Sequence, residues 1–174
     1  MLFRVVFIFF FVWFFTACST INVEQDYNPT FDFSKIKTFS VLHQERVGEN
    51  TLVNERIQNA IKKTLQAKGL RFVASNKADV VALFHLNVQN KTQIYTDYQM
   101  VGYGRYGGMM IATPRSYNYD EGKLIIDLYD PKTNKTVYRT VVTDEIESKK
   151  TPQEREAYIT EVIQKAFEKF PPQL

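Results

Sequence analysis

The chain has 174 residues, a formal net charge of +3, one cysteine and two histidines. That length suits one domain with a sizeable core. A single cysteine excludes an internal disulfide, and interleaved charges without a run of five or six alike exclude reading the basic balance as a nucleic-acid surface.

Met1 to Cys18 has the layout of a lipoprotein leader. Arg4 is its only charge, Val5 to Phe15 is an apolar run of eleven residues, and Thr16-Ala17 precede the sole cysteine. The run falls short of the ~20 residues that span a bilayer as a helix. It fits the ~7–15-residue core of a secretory signal, with small residues at the cleavage site. Residues 1–17 are therefore expected to be removed, and Cys18 to carry lipid. The only Trp leaves with the leader, and loss of Arg4 lowers the charge from +3 to +2. Ser19, rather than Asp, follows the cysteine and points to the outer membrane.

Residues 18–30 read as a tether with a possible first strand, because Thr20 to Tyr27 alternate. A single domain is expected over 31–174. Phe31 to Ser34 reads as a turn that pins two aromatics. Thr38 to His43 is rich in strand formers. Asn50 to Gly69 is the clearest helix: Asn50 or Thr51 caps it, and Gly69 suits the left-handed position after it. Its apolar stripe is Val53, Ile57, Ala60, Ile61 and Leu65.

Leu70 to Val73 reads as a short strand and Asp79 to Tyr98 as a long one. Val80, Ala82, Phe84, Leu86 and Val88 alternate onto one face. Met100 to Pro114 breaks the pattern with four glycines and reads as an irregular loop. Ser116 to Asp130 and Thr136 to Ile146 form a hairpin around the turn Asp130 to Lys135. Thr151 caps a second helix with Pro152 at its first position. Its apolar face includes Ala157, Ile159, Val162, Ile163 and Ala166, and Pro171-Pro172 ends it. The fold class is α+β: an antiparallel or mixed sheet of about four to six strands with two helices packed on one face.

The pattern offers little chemistry. His43 and His85 sit singly on strand segments, so no metal or other cofactor is expected. No G-x-S-x-G or S-x-x-K places a nucleophile. Gly102, Gly104 and Gly107 imitate a dinucleotide fingerprint, but a strand follows where a helix is required. Two readings of that segment remain open. One is a hairpin tip that packs on its own strands. The other is a partner-binding surface presenting Tyr103, Arg105 and Tyr106, residue types common in interface hot spots.

Several segments resemble a family of bacterial envelope lipoproteins grouped as domain of unknown function 4136. They are Asp26-Tyr27-Asn28, Asp32-Phe33-Ser34, Lys37-Thr38-Phe39, Lys68-Gly69-Leu70, Ala78-Asp79-Val80, Gly122-Lys123-Leu124, Ile126-Asp127-Leu128, Val137-Tyr138-Arg139 and Phe170-Pro171-Pro172. Tyr138 replaces a frequent Trp, and Ile36 a frequent Tyr. The resemblance implies a lipid-anchored, periplasm-facing α+β domain and transfers no catalytic residue. The expectation is an outer-membrane structural or interaction module, held to the membrane through Cys18, with an envelope protein or glycan as partner. The alternatives are a periplasmic hydrolase or carbohydrate-active enzyme, and a regulator docking on a cell-wall synthase.

Overall fold

The computed structural model describes residues 21–44, 46, 48–102, 108–146 and 150–172. In chain order they form β1 (Asn22–Tyr27), β2 (Thr38–Leu42), α1 (Thr51–Ala67), β3 (Arg71–Phe72), β4 (Val80–Val101), β5 (Met109–Asp130), β6 (Lys135–Glu145) and α2 (Pro152–Ala166). One mixed sheet has the order β1-β6-β5-β4-β2-β3. β2 runs parallel to β3 and β4, and the remaining pairs are antiparallel. This is the α+β single domain expected from the pattern.

Both helices start where their caps dictate. The Asn50 side chain accepts from Val53 N–H at the start of α1. At α2, Thr151 and Glu154 bond each other's backbone N–H reciprocally, and Pro152 stands at the first position. Gly69 ends α1 with φ +88°, a conformation that a side chain would strain.

The helices cover one face of the sheet. Val80, Ala82 and Phe84 of β4 lie beside Leu128 and Ile126 of β5 and Tyr138 and Val142 of β6. They pack with Ile57, Ile61 and Leu65 of α1, Val162 and Ile163 of α2, and Phe167 just after α2 in one core. Val137 and Tyr138 are adjacent yet both buried, which simple alternation forbids. A register shift after Leu128 inserts the extra residue and resolves this. Burial pushes the Tyr138 hydroxyl pKa up, and that hydroxyl donates to Ala166 O at 3.3 Å. Ala157, assigned by periodicity to the apolar face, is exposed, because α2 turns toward the core only from Tyr158 onward.

The largest departure from expectation is at the Gly-rich segment. β4 continues to Val101 and β5 begins at Met109, so Met109 to Pro114 is strand rather than loop. Every residue from Val81 to Val101 has an antiparallel partner between Tyr129 and Met109. Pro114 sits opposite Thr96 without breaking that ladder. A proline has no N–H to give, so its nitrogen must face the edge of β5 away from β4, where no strand lies alongside among the described residues. β6 accompanies β5 only as far as Glu121↔Glu145. Beyond that, residues 90–101 and 109–120 form a two-stranded arm about 40 Å long, with no third strand among the described residues.

Side-chain turns hold the end of the domain away from the arm. Asp32 accepts from Ser34 Oγ at 2.6 Å and from Ser34 N–H at 3.1 Å. Asp130, only 7% exposed, accepts from Lys132 N–H at 2.8 Å and Thr133 Oγ1 at 2.9 Å, and Asn134 follows at φ +56°. Asp130 is therefore a buried turn residue. Asp79 accepts from Thr38 Oγ1, Lys37 N–H and Thr38 N–H at 2.8, 3.0 and 2.9 Å, tying the start of β2 to that of β4. Chiefly the Thr38 hydroxyl, with the two backbone donors, holds the Asp79 carboxyl below the usual carboxylate range.

Asp79→Ala is expected to cost about 2–3 kcal/mol in urea unfolding, since it strands three donors that had a charged acceptor. The folded-state pKa is lowered, so the charge contributes fully above the unfolded value of ~3.9 and is lost as pH falls through the folded value. The gap between wild type and Asp79→Asn should therefore close in acid. Thr140 is fully buried, and among the described residues its hydroxyl has no partner. Thr140→Val should raise stability by about 1 kcal/mol.

Candidate functional site

The helices stop short of the arm, and a cavity of about 310 Å³ opens where they begin. Leu86, Val88, Gly122, Leu124 and Val142 make its floor. Val53 and Ile57 from α1 and Ile159 and Val162 from α2 make its walls. These positions follow from the alternation on β4: Leu86 and Val88 continue the apolar face past the point where a helix can cover it. Val88 is consequently 50% exposed.

Gly122 shapes the floor. A Cβ there would meet Ile146 Cδ1 at 2.7 Å and Cγ1 at 3.0 Å. The missing side chain is therefore the space in which Ile146 lies. Ile146 itself leaves β6 but stays pinned, its N–H donating to Asp120 O at 2.7 Å.

The rim is polar and internally engaged. Tyr158 donates its hydroxyl to Asp144 Oδ2 at 2.7 Å, and Lys150 Nζ lies 3.7 Å from the centre of the Tyr158 ring. Arg155 donates to Lys150 O at 3.5 Å. The interior is apolar, so the arrangement suits a hydrocarbon or aromatic group held by contact, with charged groups only at the entrance.

A second polar cluster flanks α1. The His43 ring stacks on Phe84 at 4.4 Å between centroids. Its Nδ1 lies 3.2 Å from Phe84 O and its Nε2 2.7 Å from Glu49 Oε2. Asn54 donates to the same Glu49 oxygen at 3.0 Å. The His43 contact leads in holding the Glu49 carboxyl below the usual range. Both ring nitrogens of His43 are occupied by protein oxygens, so neither is presented to a substrate. The cluster fastens the loop between β2 and α1. His85 lies on the other face of the sheet, opposite Ile125. Among the described residues, no group of three or more His, Cys, Asp or Glu side chains could hold a metal ion.

Of the residues singled out from sequence, Cys18, Tyr103, Arg105 and Tyr106 lie outside the described residues. The segment that carries the last three joins the two strands of the arm. The cavity was not anticipated. Its only trace in the sequence is the unbroken alternation from Phe84 to Val88 opposite Gly122. No helix among the described residues is long and apolar enough to cross a membrane.

Comparison with known proteins places the scaffold. The model of the family described as domain of unknown function (DUF4136) matches residues 23–172. A PDZ domain protein from Parabacteroides distasonis is similar in structure, with a TM-score of 0.58 at 14% identity. The match covers 88% of this chain but only 37% of that one. A PelC dodecamer subunit from Paraburkholderia phytofirmans is similar at a TM-score of 0.48 and 14% identity, covering 84% of this chain and 94% of that one. No curated protein matches the chain. At these identities the likeness to the Parabacteroides protein is one of fold alone.

Gly122→Ala should destabilise the domain by about 1–2 kcal/mol through overpacking against Ile146. In the double variant Gly122→Ala/Ile146→Val part of that loss should return, because the shortened side chain vacates the contested space. Urea unfolding of the four-member cycle gives the coupling. Strict additivity would mean the two side chains do not meet.

Proposed function

The chain belongs to the family described as domain of unknown function (DUF4136), and from that premise we propose that it is a lipid-anchored module of the bacterial envelope that binds rather than catalyses. Cys18 carries the lipid, Ser19 directs the protein to the outer membrane, and the domain faces the periplasm. It acts as a structural or interaction module whose cavity receives an apolar group of an envelope partner.

One observation carries this reading: the apolar run Val5–Phe15 ends in Thr16-Ala17 directly before the only cysteine. A thiol with no internal partner, placed behind a secretory segment too short to span, is suited to acylation. Several acyl chains on one residue hold a protein to a bilayer far more firmly than one, which alone is marginal. Two further observations support binding over catalysis. The cavity interior is apolar. His43, which has a carboxylate partner in Glu49, spends both nitrogens on protein oxygens.

Growth with an alkyne fatty acid tests the anchor. The wild-type protein is expected to take up label and to sediment with membranes. Cys18→Ala should lose the label entirely and move to the soluble envelope fraction. Label that persists in Cys18→Ala would overturn the assignment.

A further inference from the structure

Among the described residues the arm has two unpaired strand edges, and they differ. β2 accompanies β4 only from Val80 to Leu83, and no other strand lies on that side. Backbone parity shows what each edge presents. Ile146 N–H donates to Asp120 O, so the even-numbered residues of β5 turn their backbone groups away from β4. Pro114 is one of them, which leaves a missing donor near the middle of the outer β5 edge. The odd-numbered residues of β4 answer those of β5, and its even-numbered residues face the opposite edge. His43 Nδ1 meets Phe84 O on that side at 3.2 Å. From Val88 to Met100 the β4 edge carries a donor and an acceptor at every even position, with no proline or glycine among them. Such an edge is a template for another strand.

The residues along this edge show which strand fits. The stretch from Val88 to Met100 is centred on Ile94, which is 72% exposed. Lys91 and Asp97 are the only Lys, Arg, Asp or Glu residues of β4, and they stand equally far on either side of Ile94. A second copy laid antiparallel about Ile94 therefore sets Lys91 of each copy opposite Asp97 of the other. Both charges already have a partner on their own β5. Lys91 Nζ lies 3.6 Å from Glu121 Oε1, and Arg115 Nε 3.3 Å from Asp97 Oδ2. The junction would thus read Glu121, Lys91, Asp97, Arg115 across four strands, alternating in sign, and symmetry repeats that row.

The other pairs in this register agree. Ile94 meets Ile94, Thr92 meets Thr96, and Val88 meets Met100, two apolar side chains that are 50% and 74% exposed in the single copy. A shift of the register by two residues sets Lys91 against Tyr95 or Gln99 and loses both new ion pairs. The pairing uses no residue beyond Met100. It converts two ribbons that are marginal alone into one four-stranded sheet. Val88 belongs to the cavity floor, so Met100 of the second copy arrives at the mouth of that cavity.

We infer that the β4 edge of the arm is a homodimer interface, in which two copies join antiparallel through residues 88–100 about a two-fold axis at Ile94. This goes beyond the proposed function and does not depend on the lipid anchor. The test uses the full-length protein purified from membranes in detergent. Light scattering after size exclusion is expected to give a dimer for the wild type. Lys91→Glu and Asp97→Lys each set like charges opposite one another at both junction sites, and should each weaken the dimer about tenfold. Mixed in equal amounts, the two variants regain opposite charges at both sites, and the dimer should return, which misfolding of either variant would not allow. Ile94→Cys places two thiols on the axis with ~5.5 Å between Cα atoms, within disulfide range. Oxidation should link it well above the wild-type background, whereas Thr92→Cys, about 14 Å from its own counterpart, should stay unlinked. A monomeric wild type overturns the inference. A dimer that Ile94→Cys does not link, or charge variants that fail to recover on mixing, overturns it likewise and assigns any association to another surface.

Discussion

The pairing of β4 with β5 governs the molecule. Their register is continuous from Val81↔Tyr129 to Val101↔Met109, and every other element is placed against it. A slip of one residue would turn Ala82, Phe84, Leu124 and Ile126 out of the core and bring Leu83, His85, Ile125 and Asp127 in. The helices make that slip costly over the first half of β4. Over the second half nothing does so, because the arm has no covering layer among the described residues. Fixed aromatic and ionic pairs stand in for packing there: Tyr117 stacks on Tyr119, and Asp97 pairs with Arg115. One ribbon thus has two characters, a core strand pair at one end and a bare arm at the other.

The residues that carry the family resemblance are spent on architecture. Asp32 with Ser34 makes a helical turn that seats Phe33 in the core, where its ring meets Phe31 and Phe170 edge-on. Asp79 with Lys37 and Thr38 aligns two parallel strands. Asp130 with Thr133 makes the hairpin turn. Asp127 holds Arg139 through two bonds of 2.7 and 2.8 Å across the outer face of the sheet, raising the guanidinium pKa. Lys68 reaches Phe170 O at 2.7 Å and ties the ends of the two helical segments together. Each of these side chains is engaged within the fold. A family defined by such positions shares a scaffold, and its members are free to differ in what they bind.

What was legible in the sequence was whatever depends on near neighbours along the chain. Asn50 and Thr151 fixed the helix starts because a cap acts within one turn, and Gly69 fixed an end for the same reason. The strand alternation from Val80 to Val88 named the buried face. The arm was hidden because its local signals contradict its structure: Gly102, Gly108 and Pro114 are turn residues by habit, yet the ladder passes through Pro114 by facing its nitrogen outward. The cavity was hidden for another reason. It exists because α1 and α2 both begin level with Leu86 and Val88, a coincidence between segments that start at Thr51 and Pro152, on either side of β4 and β5. Gly122 alone hinted at it, and only in combination with Ile146.

These placements sort the molecule by end. β2 and β4 start, β5 turns into β6, and α1 and α2 finish at one end, where Asp79, Asp130, Gly69 and Phe170 are concentrated. At the other end β1 begins, both helices start, the cavity opens and the arm departs. The first end is knitted by charge-assisted hydrogen bonds that tolerate little change. The second is apolar and more open. An apolar ligand approaching that end would meet the cavity and the arm together, before it met the knitted end of the fold.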